Sequence, residues 1–97
     1  MKTELVALKG MLQTKPLQIK DGQKLLIGRG PDADIQVLDA GLSRSHCSLG
    51  RSGDEFWLSD LGSRNGTWVN GGPIKRVQLK TGDKVRFGTV EFEFRCL

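Results

Sequence analysis

Three short stretches of this chain carry the residue types that can do chemistry. Gly28-Arg29-Gly30 sets an arginine between two glycines. Leu42-Ser43-Arg44-Ser45-His46 gathers two hydroxyls, a guanidinium and the single histidine. Ser63-Arg64-Asn65-Gly66 puts a cation and an amide on a turn signal. A hydroxyl donates one hydrogen bond and a guanidinium can donate two in a fork, so Arg29, Ser43 and Arg44 suit an anionic ligand. Asn-Gly tolerates the backbone of a tight turn, and such a turn can hold Arg64 and Asn65 still against a ligand.

Other chemistries fit less well. Gly28-Arg29-Gly30-Pro31-Asp32-Ala33 matches the G-x-G-x-x-[GA] dinucleotide fingerprint, but that motif must open a helix inside a βαβ unit. Here Ile35-Gln36-Val37 follows closely and is strand-like, so the nucleotide reading is rejected. What remains is either an arginine delivered to a site or a solvated loop arginine. Ser43, His46 and Asp60 could be imagined as a hydrolytic triad. A hydrolase also needs an oxyanion hole and a shaped pocket, for which a small β domain has little room, so no enzyme is expected. A lone histidine at a strand start is expected to be a hydrogen-bonded structural residue. Asn65-Gly66-Thr67 is a glycosylation sequon by pattern, set aside because no secretory signal is visible. Cys47 and Cys96 lack metal spacing, and neither a metal nor a cofactor is expected.

These residues need elements to hold them. With 97 residues, a single domain spanning residues 1–97 is expected, large enough to fold without disulfide or metal. Thirteen glycines and three prolines point to many turns. Strands are expected from Leu5 to Leu8, Pro16 to Lys20, Lys24 to Gly28 (central in its sheet), Asp34 to Val37 and Ser45 to Leu49. In the last of these Cys47 and Leu49 take one face, His46 and Ser48 the other. Further strands are expected from Glu55 to Asp60, Thr67 to Val69, Ile74 to Leu79, Lys84 to Phe87 and Val90 to Cys96. In the final one Val90, Phe92, Phe94 and Cys96 point inward. Short strands separated by frequent turn signals indicate an all-β sandwich or barrel.

The net charge of +4 suggests an anionic partner: nucleic acid, a membrane surface or a phosphorylated peptide. A plain solvated surface fits as well. Lysines and arginines are scattered, with Lys75-Arg76 the single adjacent pair, so there is no basic tract of the nucleic-acid or membrane type. Trp57 and Trp68 read as strand residues rather than a base-stacking platform. The N-terminal apolar run is too short for a signal peptide or a span, and a cytoplasmic chain with reduced cysteines is expected. A Cys47–Cys96 bridge is the alternative.

Gly28-Arg29, Ser43-Arg44-Ser45-His46, Asn65-Gly66 and a Gly82-Asp83 turn, in that order on short strands, closely resemble the forkhead-associated (FHA) domain. The resemblance runs from Leu25 to Phe94 and is closest over residues 61–71. It implies a two-sheet β-sandwich of about eleven short strands, related to the SMAD-like sandwiches, with binding loops at one end. It implies recognition of phosphothreonine segments in signalling, with Arg29, Ser43 and Arg44 on the phosphate. Asn65 would hold the peptide main chain beside Arg64, which stands where the family varies. Gly28, His46 and Gly66 would support the site. The threonine methyl would enter a small pocket, with the turn at Arg64-Asn65 a candidate wall. The implied partner is a phosphothreonine protein, either the substrate of a Ser/Thr kinase or the kinase itself, with no nucleic acid and no membrane. The alternative on the same fold is a phospho-independent scaffolding domain.

Overall fold

Strict alternation builds the sandwich. In the computed structural model, which describes residues 3–9, 16–17 and 19–96, Val90–Cys96 forms the last strand, with Val90, Phe92 and Phe94 buried and Cys96 packed against the core. Eleven strands are described: β1 Thr3–Lys9, β2 Pro16–Leu17, β3 Lys24–Gly28, β4 Ile35–Gln36, β5 Cys47–Ser52, β6 Glu55–Asp60, β7 Thr67–Val69, β8 Gly72–Ile74, β9 Arg76–Leu79, β10 Lys84–Phe87 and β11 Val90–Cys96. No helix among the described residues is long and apolar enough to cross a membrane. One sheet has the order β2-β1-β11-β10-β7-β8 and the other β4-β3-β5-β6-β9. Among the described residues the paired strands run antiparallel, except β3 and β4, which are parallel.

The core lies between the sheets. Phe56 from one and Phe94 from the other meet with ring centroids 5.3 Å apart. Phe92 touches Phe87 at 5.3 Å, and Phe87 touches His46 at 5.5 Å, so ring packing runs from the core to the loop end. Cys47 and Cys96 are free thiols. Burial, with the nearby Asp60 carboxylate, pushes the Cys47 thiol up to about 12.

Four expectations change. The strand expected from Ile74 to Leu79 is two strands in different sheets. Ile74 pairs with Thr67, while Arg76 pairs with Ser59, and the chain crosses the sandwich at Lys75, whose carbonyl accepts the Asp60 amide at 2.7 Å. The strand expected from Pro16 to Lys20 extends over Pro16–Leu17, with Gln18 outside the described residues. β3 is an interior strand, but the centre of its sheet is β5. His46 does not share an outward face with Ser48: it precedes β5 and is fully buried against Phe87.

The two Asn-Gly pairs also differ. Asn70 and Gly71 both take positive φ, 50° and 85°, and close the β7–β8 hairpin as a twisted two-residue turn should. The Asn70 side chain does more, donating to Asp83 Oδ1 and accepting the Lys84 amide, each at 3.0 Å. At the first pair only Gly66 has positive φ, 87°, and the loop joins β6 to β7, which lie in different sheets. Asn65-Gly66 is therefore part of a sheet-to-sheet crossing. Trp57 and Trp68 lie in opposite sheets, with the Arg76 and Arg86 guanidiniums 4.6 and 4.8 Å from their respective ring centroids.

Candidate functional site

The β3–β4, β4–β5 and β6–β7 loops gather at one end of the sandwich. The β3–β5 pairing does not stop at the sheet edge. The His46 amide donates to Ile27 O at 2.9 Å, the Arg29 amide to Ser43 O at 3.0 Å and the Gly30 amide to Arg44 O at 3.1 Å. This close pairing explains Gly28. A Cβ there would lie 2.0 Å from Arg44 O, so only glycine lets the two loops touch. Gly28→Ala is expected to force them apart and cost about 1–3 kcal/mol. Urea unfolding checks this, and a wild-type midpoint would contradict the close approach.

Arg29 is exposed but not free to wander. Its Nε donates to Leu42 O at 3.1 Å, and its own carbonyl accepts from Gln36 Nε2 at 3.2 Å. One edge of the guanidinium is thus fixed, and the terminal nitrogens are left to a ligand. Arg44 starts beside it, since a Cβ on Gly30 would lie 3.1 Å from Arg44 Cβ.

His46 ties two loops together. Its Nδ1 accepts the Ser43 amide at 3.1 Å. An amide can only donate, so the ring proton must sit on Nε2, which donates to Gly66 O at 2.9 Å. The single buried ring therefore sets the spacing between the Ser43 and Gly66 backbones.

Asp60 shapes the third loop. Its Oδ1 accepts from Ser63 Oγ at 2.5 Å and Thr67 Oγ1 at 2.7 Å, and its Oδ2 from the Ser63 amide at 3.0 Å. Ser63 Oγ in turn accepts the Gly66 amide at 3.0 Å. Burial alone would push the Asp60 carboxyl up. The Ser63 and Thr67 donors outweigh burial and hold it below the ordinary 3.8. A depressed folded-state value adds stability above the unfolded value and loses it as pH falls through the folded value. Asp60→Asn should therefore be less stable than wild type at neutral pH and lose less stability below about pH 4. Urea unfolding across that window measures both, and parallel curves would contradict the assignment.

The loops meet at Ser43. Its Oγ accepts the Arg64 amide at 3.0 Å. The hydroxyl proton then points elsewhere and is available to an acceptor. Asn65 Nδ2 donates to Gly41 O at 2.8 Å, which leaves its second N–H and its carbonyl oxygen open to another partner. Beyond Gly41, Asp39 Oδ1 accepts the Gly41 amide at 2.7 Å, and its Oδ2 accepts the Thr89 hydroxyl from the β10–β11 turn. The Thr89 hydroxyl and the Gly41 amide hold the Asp39 carboxyl below its usual range.

All eight residues singled out from the sequence thus fall in one loop cluster. Arg29, Ser43, Arg44, Arg64 and Asn65 present side chains at its surface, whereas Gly28, His46 and Gly66 lie beneath them as spacing elements. The imagined triad does not form. His46 Nδ1 bonds the Ser43 amide rather than its hydroxyl, and Asp60 bonds Ser63 and Thr67. The fingerprint-like glycines lead into turn and strand with no helix. Among the described residues no group of His, Cys, Asp and Glu is placed to hold a metal. Sequence reasoning missed the carbonyls of Leu42 and Gly41, which have no side-chain signature. The Asp60–Ser63 pair was findable, because an acid three residues before a serine is a loop-bonding pattern.

Comparison with known proteins agrees with this geometry. The FHA domain family model matches residues 25–88. The chain is 41% identical over 78 residues to the FHA domain-containing protein FhaA of Mycobacterium tuberculosis, covering 80% of this chain and 15% of that protein. It is 38% identical over 74 residues to the oxoglutarate dehydrogenase inhibitor of Corynebacterium jeikeium, covering 76% of this chain and 51% of that protein. The chain thus spans about half or less of the length of these relatives. A solved structure concerned with phosphothreonine-dependent FHA domain interactions superposes with a TM-score of 0.88 at 36% identity, over 100% of this chain and 98% of that one. Since the family match takes in more than half of the sequence and the whole sandwich superposes on a solved member, the chain belongs to the forkhead-associated domain family.

Proposed function

We propose that residues 1–97 act as one phosphothreonine-peptide binding module, without catalysis, that makes protein association depend on phosphorylation. The observation that carries this reading is the convergence on Ser43. Arg29 donates its amide to Ser43 O, Arg64 donates its amide to Ser43 Oγ, and Arg44 is the next residue. None of the three guanidiniums is paired with a carboxylate among the described residues. Phosphothreonine brings about −1.5 to −2 charges and three acceptor oxygens, which match arginines and a free hydroxyl proton.

In this reading Arg29, Ser43 and Arg44 bind phosphate, while Asn65 and Arg64 align the peptide. Gly28, His46 and Gly66 keep the loops in register. The phosphothreonine-dependent interactions of the 36% identical solved relative support it. The partner is a cytoplasmic protein carrying phosphothreonine, either the substrate of a Ser/Thr kinase or the kinase itself. Titration of isotope-labelled protein with a phosphothreonine peptide should shift the amides of residues 28–30, 42–46 and 63–66. Shifts confined to the sheet faces would instead favour phospho-independent scaffolding.

A further inference from the structure

Resting on the phosphothreonine reading, we propose that the site selects a doubly anionic segment: a phosphothreonine with a second acidic group beside it, bound by Arg64. The second group is a carboxylate or a second phosphate.

Charge counting motivates this. Arg29 and Arg44 together match one phosphate of about −1.5 to −2. Arg64 is a third cation, exposed and paired with no carboxylate among the described residues. Among the described residues no carboxylate offsets Arg64, and its hydrogen bond to Ser43 is made by the backbone amide, not the guanidinium.

Position supplies the second argument. The Arg64 amide is 3.0 Å from the phosphate-facing hydroxyl of Ser43, and the next residue is Asn65, assigned to the peptide main chain. Arg64 thus stands between the phosphate ligand and the peptide clamp. A side chain adjacent to the phosphothreonine passes within its reach. The far side of Asn65 has the opposite sign. Asn65 Nδ2 is fixed to Gly41 O, and the Gly41 amide to the ionised Asp39. An acid is favoured toward Arg64 and disfavoured toward Asp39, so the preference must depend on register.

The test is an acid walk. A phosphothreonine peptide with neutral flanks is the parent. Glutamate, or in a second series phosphoserine, is placed in turn at each of the three positions on either side, and binding is measured at fixed ionic strength. Registers next to the phosphothreonine on one side should bind about five- to tenfold tighter than the parent, and those facing Asp39 no tighter. The phosphoserine series tells whether the second group is best supplied as phosphate. Arg64→Gln should reduce the gain to less than about twofold, and Arg64→Lys should keep part of it. A flat series on a parent peptide that binds, or a gain that survives Arg64→Gln, overturns the inference alone. A parent peptide that does not bind overturns the phosphothreonine reading and this inference with it.

Discussion

Arg29→Ala should lower affinity for a phosphothreonine peptide by about 30-fold or more while the sandwich stays folded. Removing one partner from a desolvated, hydrogen-bonded charge pair costs about 2–5 kcal/mol, or about 30-fold to several thousandfold in affinity. Arg29 is exposed in the free domain, but its Nε is already fixed on Leu42 O, so the remaining nitrogens are aimed before the ligand arrives and a bound phosphate would cover them. The fold loses little. The Arg29 amide and carbonyl, which continue the β3–β5 ladder and hold Gln36, belong to the backbone and survive truncation. The lost Nε bond contributes about 0.5–1.5 kcal/mol. Calorimetric titration beside thermal unfolding separates the two effects. Affinity within about threefold of wild type, on a folded variant, would remove Arg29 from the phosphate site.

His46→Ala should have the largest effect on the fold. The ring is fully buried beside Phe87, so its removal leaves a void in the core. It also leaves the Ser43 amide and Gly66 carbonyl without their partner. A void and orphaned polar groups together cost about 3–5 kcal/mol, a large share of the 5–15 kcal/mol typical of a domain. Affinity should fall too, although His46 itself is buried under the site, because the Ser43 and Gly66 loops lose their common anchor. Urea unfolding and the amide spectra of Ser43 and Gly66 report on the two consequences. A variant with wild-type stability and unshifted amides would show that the loops are held by something else.

What the sequence made legible follows from what local pattern encodes. β10 and β11 alternate strictly because each has one buried and one wet face. Asn70-Gly71 is a hairpin signal that the sequence carries locally, because two positive φ values are a local demand. The break at Lys75 was illegible, since Ile74 and the residues of β9 all look like strand and periodicity does not say which sheet a strand joins. His46 was assigned to the wrong face for a related reason. The expected strand begins at Ser45, two residues before the true start of β5 at Cys47, and the tertiary contact with Phe87 decides the ring's direction. At the candidate site, motif order pointed to side chains that the fold brings to one end, but their positioning partners are backbone carbonyls at Gly41 and Leu42 and a sheet crossing at Asn65-Gly66. Those exist only once distant segments meet.

The central claim is that the arginine–serine cluster reads phosphate on threonine. The most direct measurement is the affinity of one peptide in three forms at constant ionic strength: phosphothreonine, phosphoserine and unphosphorylated threonine. Micromolar binding of the first is expected, weaker binding of the second, and a loss of about 30-fold or more for the third, as removal of a charge-assisted contact requires. Equal binding of the phosphothreonine and unphosphorylated peptides would contradict it.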